Sequence, residues 1–227
     1  MKQRVFNLII LDESGSMSSI EKQAIGAVNE TIQTIRNAQE KHEGQEHFMS
    51  LVVFNSDEVR TVYDSLEVNK IEELSPKQYR PSSCTPLYDA MGNALTALQR
   101  KVAESDSVLV TVVTDGYENA SKEYDGASIK ALVDSLKEKG WLFAYIGANQ
   151  DAESVGRTMG IRSTLNFSAT CEGTAMMGAT MGAMVGRVAN FLTRPMGKNF
   201  LADADLFDDS LDDDDMWSFS TLPAKRD

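Results

Sequence analysis

Cysteine is scarce: Cys84 and Cys171 are the only two in 227 residues. Two cannot build a disulfide framework, and the count fits a reducing compartment. Long apolar runs are missing as well. No stretch approaches the roughly 18–20 consecutive apolar residues of a membrane-spanning helix. The opening MKQRVFNLIILD is basic at first, but its apolar run is too short for a secretory leader and no small-residue cleavage site follows. A cytoplasmic chain that does not engage membrane is therefore expected. Positive charge is also in short supply, with 22 Lys and Arg against 34 Asp and Glu and a net charge of −12. Such a surface repels phosphates, so nucleic-acid binding is not expected. Histidine is limited to His42 and His47, both in the polar connector KHEGQEH, which disfavours a Ser–His–Asp triad. No GxxxxGK[ST] run exists to cradle a nucleotide phosphate.

What is present has the proportions of an ordinary globular chain, 42% apolar and 25% charged. Strand patterns occur at 4–11, 47–54, 57–64, 107–114, 141–147 and 163–168. Between them, helical spacing of apolar residues predicts helices at 20–39, 87–102, 127–140, 152–161 and 172–193. Gly140 is placed to end the third of these in a left-handed turn. Strands 4–11 and 107–114 are almost continuously apolar, the mark of burial on both faces. The short link between 47–54 and 57–64 predicts an antiparallel hairpin edge. Strands alternating with helices predict an α/β fold, a Rossmann-like doubly wound, mostly parallel sheet with helices on both faces.

In such sheets, ligands sit beyond the carboxyl ends of the strands. The first strand ends in LIILDESGSM, four apolar residues leading into Asp12, Ser14 and Ser16. Strand 107–114 ends in TDGYEN, with Asp115 just past the last apolar residue, and the loop before helix 87–102 reads SSCTPL, with Thr85. Three loops can thus bring two carboxylates and three hydroxyls together. Without thiolate or imidazole, soft metals are disfavoured. A small site with few carboxylates suits Mg²⁺ or Mn²⁺ better than Ca²⁺. Two carboxylates roughly neutralise the ion, and an acid from outside can complete its shell.

DESGS at 12–16, Thr85 and the Asp of TDG at 115 resemble the metal-ion-dependent adhesion site (MIDAS) of von Willebrand factor A (VWA) domains, over about residues 3–193. The resemblance implies six strands, five parallel and one short antiparallel edge strand. It implies direct metal contact for Ser14, Ser16 and Thr85, with Asp12 and Asp115 acting largely through water. It also implies a non-enzymatic protein–protein interaction module of the stand-alone intracellular bacterial type. The partner would be a protein that presents an Asp or Glu to Mg²⁺.

Several competing assignments meet the same residues. Asp12 or a neighbouring serine could cap helix 20–39, and Thr85 could cap helix 87–102. Asp89 could orient a water or simply favour the dipole of its helix, the latter being preferred. A metal-assisted hydrolase or phosphatase using the same cation is the functional alternative, and it lacks a positioned general base. No catalytic residue is assigned. Met177, Met181, Met184, Val188 and Leu192 form one stripe of the last helix beside Gly178, Gly182 and Gly186; packing on the sheet is expected, with a Met-rich partner surface as the alternative. Residues 1–193 are taken as the domain. Residues 194–227, with nine Asp against four basic residues, are taken as an acidic tail that is flexible or a docking segment. Leu206, Phe207, Leu211, Trp217 and Phe219 interleave its charges.

Overall fold

The computed structural model describes residues 2–148, 151–194, 201 and 204–212. Six strands form one sheet: β1 (Gln3–Asp12), β2 (Gln45–Phe54), β3 (Val59–Glu67), β4 (Ser107–Thr114), β5 (Leu142–Ala148) and β6 (Ser163–Phe167). Their order across the sheet is β3-β2-β1-β4-β5-β6. All neighbours are parallel except β2 and β3. The order reverses beside β1, since the chain builds outward to β3 on one side and then restarts at β4 on the other. A crevice opens at such a switch point, beyond the carboxyl ends of β1 and β4.

Why β1 sits in the centre is visible in its side chains. Val5, Ile9 and Leu11 enter one apolar layer, while Phe6, Leu8 and Ile10 enter the other. Alternation with period two lets a strand with apolar residues on both faces serve both cores. Full burial of each such side chain contributes about 1.5–3 kcal/mol.

The first layer holds α1 (Glu21–Lys41) and α5 (Cys171–Phe191). The second holds α2 (Leu87–Gln99), α3 (Gly126–Glu138) and α4 (Ala152–Thr158). Helix α3 starts on a reciprocal cap, Asp125 accepting from the Ser128 amide and the Ser128 hydroxyl accepting from the Asp125 amide. It ends at Gly140, whose φ is +79°. The methionine stripe of α5 is buried as expected. Its glycines face α1 closely: a Cβ on Gly178 would lie 3.1 Å from Ala27 Cα, and one on Gly182 3.1 Å from the Thr34 hydroxyl. Helix α5 thus packs on α1 as well as on the sheet.

Two expectations shift. Strand β3 begins at Val59 rather than 57, because Asn55 accepts through its side chain from the amides of Asp57 and Glu58 and closes a turn there. His47 belongs to β2 and not to the polar connector; it is buried against Gln45 and Asn7.

The segment 194–227 contributes three of its described residues to the core. Leu201, Leu206 and Leu211 are buried in the same layer as α1 and α5. The Leu206 amide donates to Ser163 Oγ, and buried Arg187 of α5 donates to the Leu206 carbonyl and to Asp209. These contacts lie at the amino end of β6, the pole opposite the crevice. Trp217 and Phe219 lie outside the described residues.

Candidate metal centre

Asp12 ends β1 and is fully buried. Its Oδ1 accepts from the Ser14 amide at 2.7 Å and its Oδ2 from the Thr114 hydroxyl at 2.6 Å. The buried phenol of Tyr79 donates to the Asp12 carbonyl at 2.6 Å. Ser14 Oγ lies 3.2 Å from Ser16 Oγ, and Ser16 Oγ donates to Asp115 Oδ1 at 2.5 Å. Four of the five expected residues, remote by up to 99 positions, are therefore linked by hydrogen bonds.

Thr85 enters through Gly116. A Cβ built on that glycine would lie 3.2 Å from Thr85 Oγ1, 3.8 Å from Ser16 Oγ and 3.9 Å from Asp12 Oδ2. Oxygens from two loops thus gather beside a point on the third, and any side chain at 116 would crowd Thr85 Oγ1. The Thr85 backbone is held by Asn119, whose side-chain oxygen accepts from the Thr85 amide and whose own amide donates to the Thr85 carbonyl.

The capping assignments fail. Neither the short 3-10 turn Gly15–Ile20 nor α1 receives a side-chain cap, and α2 receives none from Thr85. The oxygens face one another instead of the helix amides. Asp89 does more than favour a helix dipole: its carboxylate accepts from the amides of Lys122, Glu123 and Tyr124 and pins the chain after TDGYEN. Those bonds hold its carboxyl below the usual range against the opposing effect of burial.

Electrostatics set this cluster apart. Burial pushes the Asp12 carboxyl up to about 6, against the lowering effect of its hydrogen bonds, and the Asp115 charge raises it further. Asp115 is raised by burial as well, with the Ser16 hydroxyl opposing. Among the described residues, neither carboxylate has an ion-pair partner. Two acids and three hydroxyls around a cradle, with no cationic side chain beside them, fit a hard divalent ion in charge and donor type. A metal-holding cluster of three or more His, Cys, Asp or Glu does not occur among the described residues, so an ion bound here would need hydroxyl oxygens or water beside the two acids.

Several supporting residues were not assigned from sequence. Thr114 and Gly116 flank Asp115 within the quoted TDG, so their proximity was on view, though not their roles. Glu13 lies inside DESGS but is not one of the five positions. It is buried, its carboxylate accepting from Arg60 Nη2 at 3.0 and 3.1 Å and from the Arg80 amide. No local pattern pairs residue 13 with residue 60.

The family model for the von Willebrand factor type A domain matches residues 8–173. The chain belongs to this family. VWA domains generally mediate protein–protein interaction, and this one carries the family's fold. Similar folds include the PilB minor pilin from Streptococcus sanguinis, with a TM-score of 0.58 at 11% identity over 86% of this chain. The pilus adhesin SpaC from Lactobacillus rhamnosus GG gives 0.63 at 12% identity over 82%. The vWF domain of the pili tip protein Mfa5 from Porphyromonas gingivalis gives 0.55 at 12% identity, covering 82% of this chain and 97% of that domain. The chain spans 64% of the PilB protein and 30% of SpaC. No curated protein matches the chain. Among the described residues, no helix is long and apolar enough to cross a membrane.

Proposed function

We propose that the crevice holds Mg²⁺, or Mn²⁺ in its place, and that the ion grips an Asp or Glu of a protein partner. Ser14, Ser16 and Thr85 would hold the ion directly, with Asp12 and Asp115 acting largely through water. The bound ion would supply a Lewis-acidic position for an incoming carboxylate. The observation that carries this proposal is the hydrogen-bonded linkage of Asp12, Ser14, Ser16 and Asp115, with oxygens of Asp12, Ser16 and Thr85 gathered beside Gly116 and, among the described residues, no cationic side chain paired with either acid. Tyr117, two residues past Asp115, exposes more than half of its surface and offers an aromatic contact next to the site. A role as a binding module rather than an enzyme is supported by the histidines. His47 is buried in the first turns of β2 and His42 follows the end of α1, so both lie toward the amino pole, away from the crevice. An exposed free thiol at Cys84, beside Thr85, fits a reducing, cytoplasmic setting.

Calorimetric titration with Mg²⁺ tests the site. Binding by the wild-type chain, lost in Asp12→Ala and Asp115→Ala while the fold persists, supports it. Equal heats in all three chains would overturn it. Pull-downs with and without chelator test the acid grip, and turnover in a phosphatase and esterase screen with Mg²⁺ or Mn²⁺ would replace the binding role with a catalytic one.

A further inference from the structure

We propose that Glu13 and Arg60 form a positioning clamp that holds the loop 12–16 against the loop 78–85, so that the oxygens of Ser14, Ser16 and Thr85 meet the ion already oriented. This rests on the metal site proposed above. Glu13 stands between two of the proposed ligands, yet its carboxylate is turned to Arg60 and to the Arg80 amide. Arg60, near the start of β3, also donates from Nη1 to the Gln78 carbonyl at 3.0 Å. The main chain of Glu13 is tied on both sides: its amide donates to the Phe54 carbonyl at 2.7 Å, and its carbonyl accepts from the Ser82 amide at 2.8 Å. Four segments therefore meet at one residue: the ends of β1 and β2, the start of β3, and the loop that leads to Thr85.

From there the ties continue toward the site. The Gly15 amide donates to the Ser83 carbonyl at 3.0 Å, and the Ser56 amide donates to the Cys84 carbonyl at 3.0 Å. Asn55 Nδ2 donates to Ser82 Oγ at 3.2 Å. A shift of one loop would carry Thr85 away from Ser14 and Ser16. The pair is buried on the Glu13 side and one-third exposed on the Arg60 side, and such a pair adds little net stability compared with apolar groups of the same volume. Its value here is geometric. Partners outside the coordination shell typically set metal affinity by about 10- to 100-fold.

The test uses the full chain in five forms: wild type, Arg60→Met, Glu13→Met, the double variant Glu13→Met with Arg60→Met, and Arg60→Lys. Calorimetry gives the Mg²⁺ Kd, and thermal unfolding in EDTA gives the Tm of the metal-free fold. Each single Met variant is expected to lower Tm and to weaken Mg²⁺ binding by about 10- to 100-fold. The double variant buries no unpaired charge and is expected to regain most of the Tm, while Mg²⁺ stays weak. A clamp that serves stability alone would let both quantities recover together, which overturns the proposal. So would a single variant with wild-type Mg²⁺ affinity. Arg60→Lys keeps the charge but loses the second donor arm; it is expected to fold and to bind Mg²⁺ between wild type and double variant, and wild-type binding there also counts against the clamp. Wild type that takes up no Mg²⁺, like Asp12→Ala, would instead overturn the metal site itself.

Discussion

The two poles of the sheet bury polar groups in opposite ways. At the amino pole, His47 lies between Gln45 and Asn7, Arg4 pairs with Asp106 at 3.4 Å, and Arg187 reaches Asp209 and the Leu206 carbonyl. His47 Nε2, Arg4 Nη1 and both Nη atoms of Arg187 meet acceptors within the chain there. At the carboxyl pole, Asp12 and Asp115 are raised by burial and receive only hydroxyl and amide protons. Polar groups satisfied internally serve the fold. Acids that burial perturbs and that, among the described residues, lack a counter-charge cost stability, and such groups cluster at functional sites.

The largest expected effect breaks the carboxyl pole alone. Asp12→Ala or Asp115→Ala is expected to weaken Mg²⁺ binding by more than about 100-fold, beyond the effect of losing an outer contact. Calorimetry reads the loss, and a chelator should reproduce it in partner pull-downs. Next, Leu206→Ala strikes the amino pole. It is expected to cost about 2–5 kcal/mol in urea unfolding, as for other buried leucines, and to leave the Mg²⁺ Kd unchanged. A change in Kd there would couple the poles and blur the contrast.

The third effect sets the poles against each other through pH. The folded pKa of Asp12 is raised from 3.8 to about 6, so its contribution to stability is best below 3.8 and declines as pH rises to about 6. Asp115 acts in the same sense. Burial lowers His47 from 6.5 to about 4, so its contribution is complete above 6.5 and is lost as pH falls toward 4. Asp12 and His47 each span about 3 kcal/mol, with opposite slopes over nearly the same window. In the wild type, unfolding in EDTA is therefore expected to show these two slopes offsetting one another in large part between pH 4 and 6. His47→Asn should expose a decline toward pH 6, and Asp12→Asn a decline toward pH 4. Added Mg²⁺ should stabilise the wild type at pH 7 and have little effect at pH 4. The smallest effect concerns the rim: Tyr117→Ala is expected to cost about 1–2 kcal/mol of partner affinity, measured by calorimetry with Mg²⁺ saturating.

Much of this was legible along the chain because the signals are local. Apolar runs at 4–11 and 107–114 mark central strands, and short oxygen side chains at their ends mark the crevice. Gly140 ends α3 where its residue type predicts. What escaped was non-local. His47 reads as part of a polar connector until Gln45 and Asn7 close over it. Leu206 and Leu211 read as an acidic tail's stray apolar residues until α5 and β6 bury them. Glu13 reads as a spacer between ligands until Arg60, 47 residues later, reaches its carboxylate.

Periodicity and residue type were thus enough for the α/β class and for the expectation that Asp12, Ser14, Ser16, Thr85 and Asp115 lie together at the carboxyl ends of β1 and β4. Each depends on backbone geometry that repeats every two or 3.6 residues, or on which atoms can donate and accept. Packing alone settled which face α5 presents to α1, where Leu201, Leu206 and Leu211 lie, and how Glu13 and Arg60 tie the crevice loops together. Those outcomes depend on distances between segments far apart in the chain, and no local pattern encodes a distance of that kind.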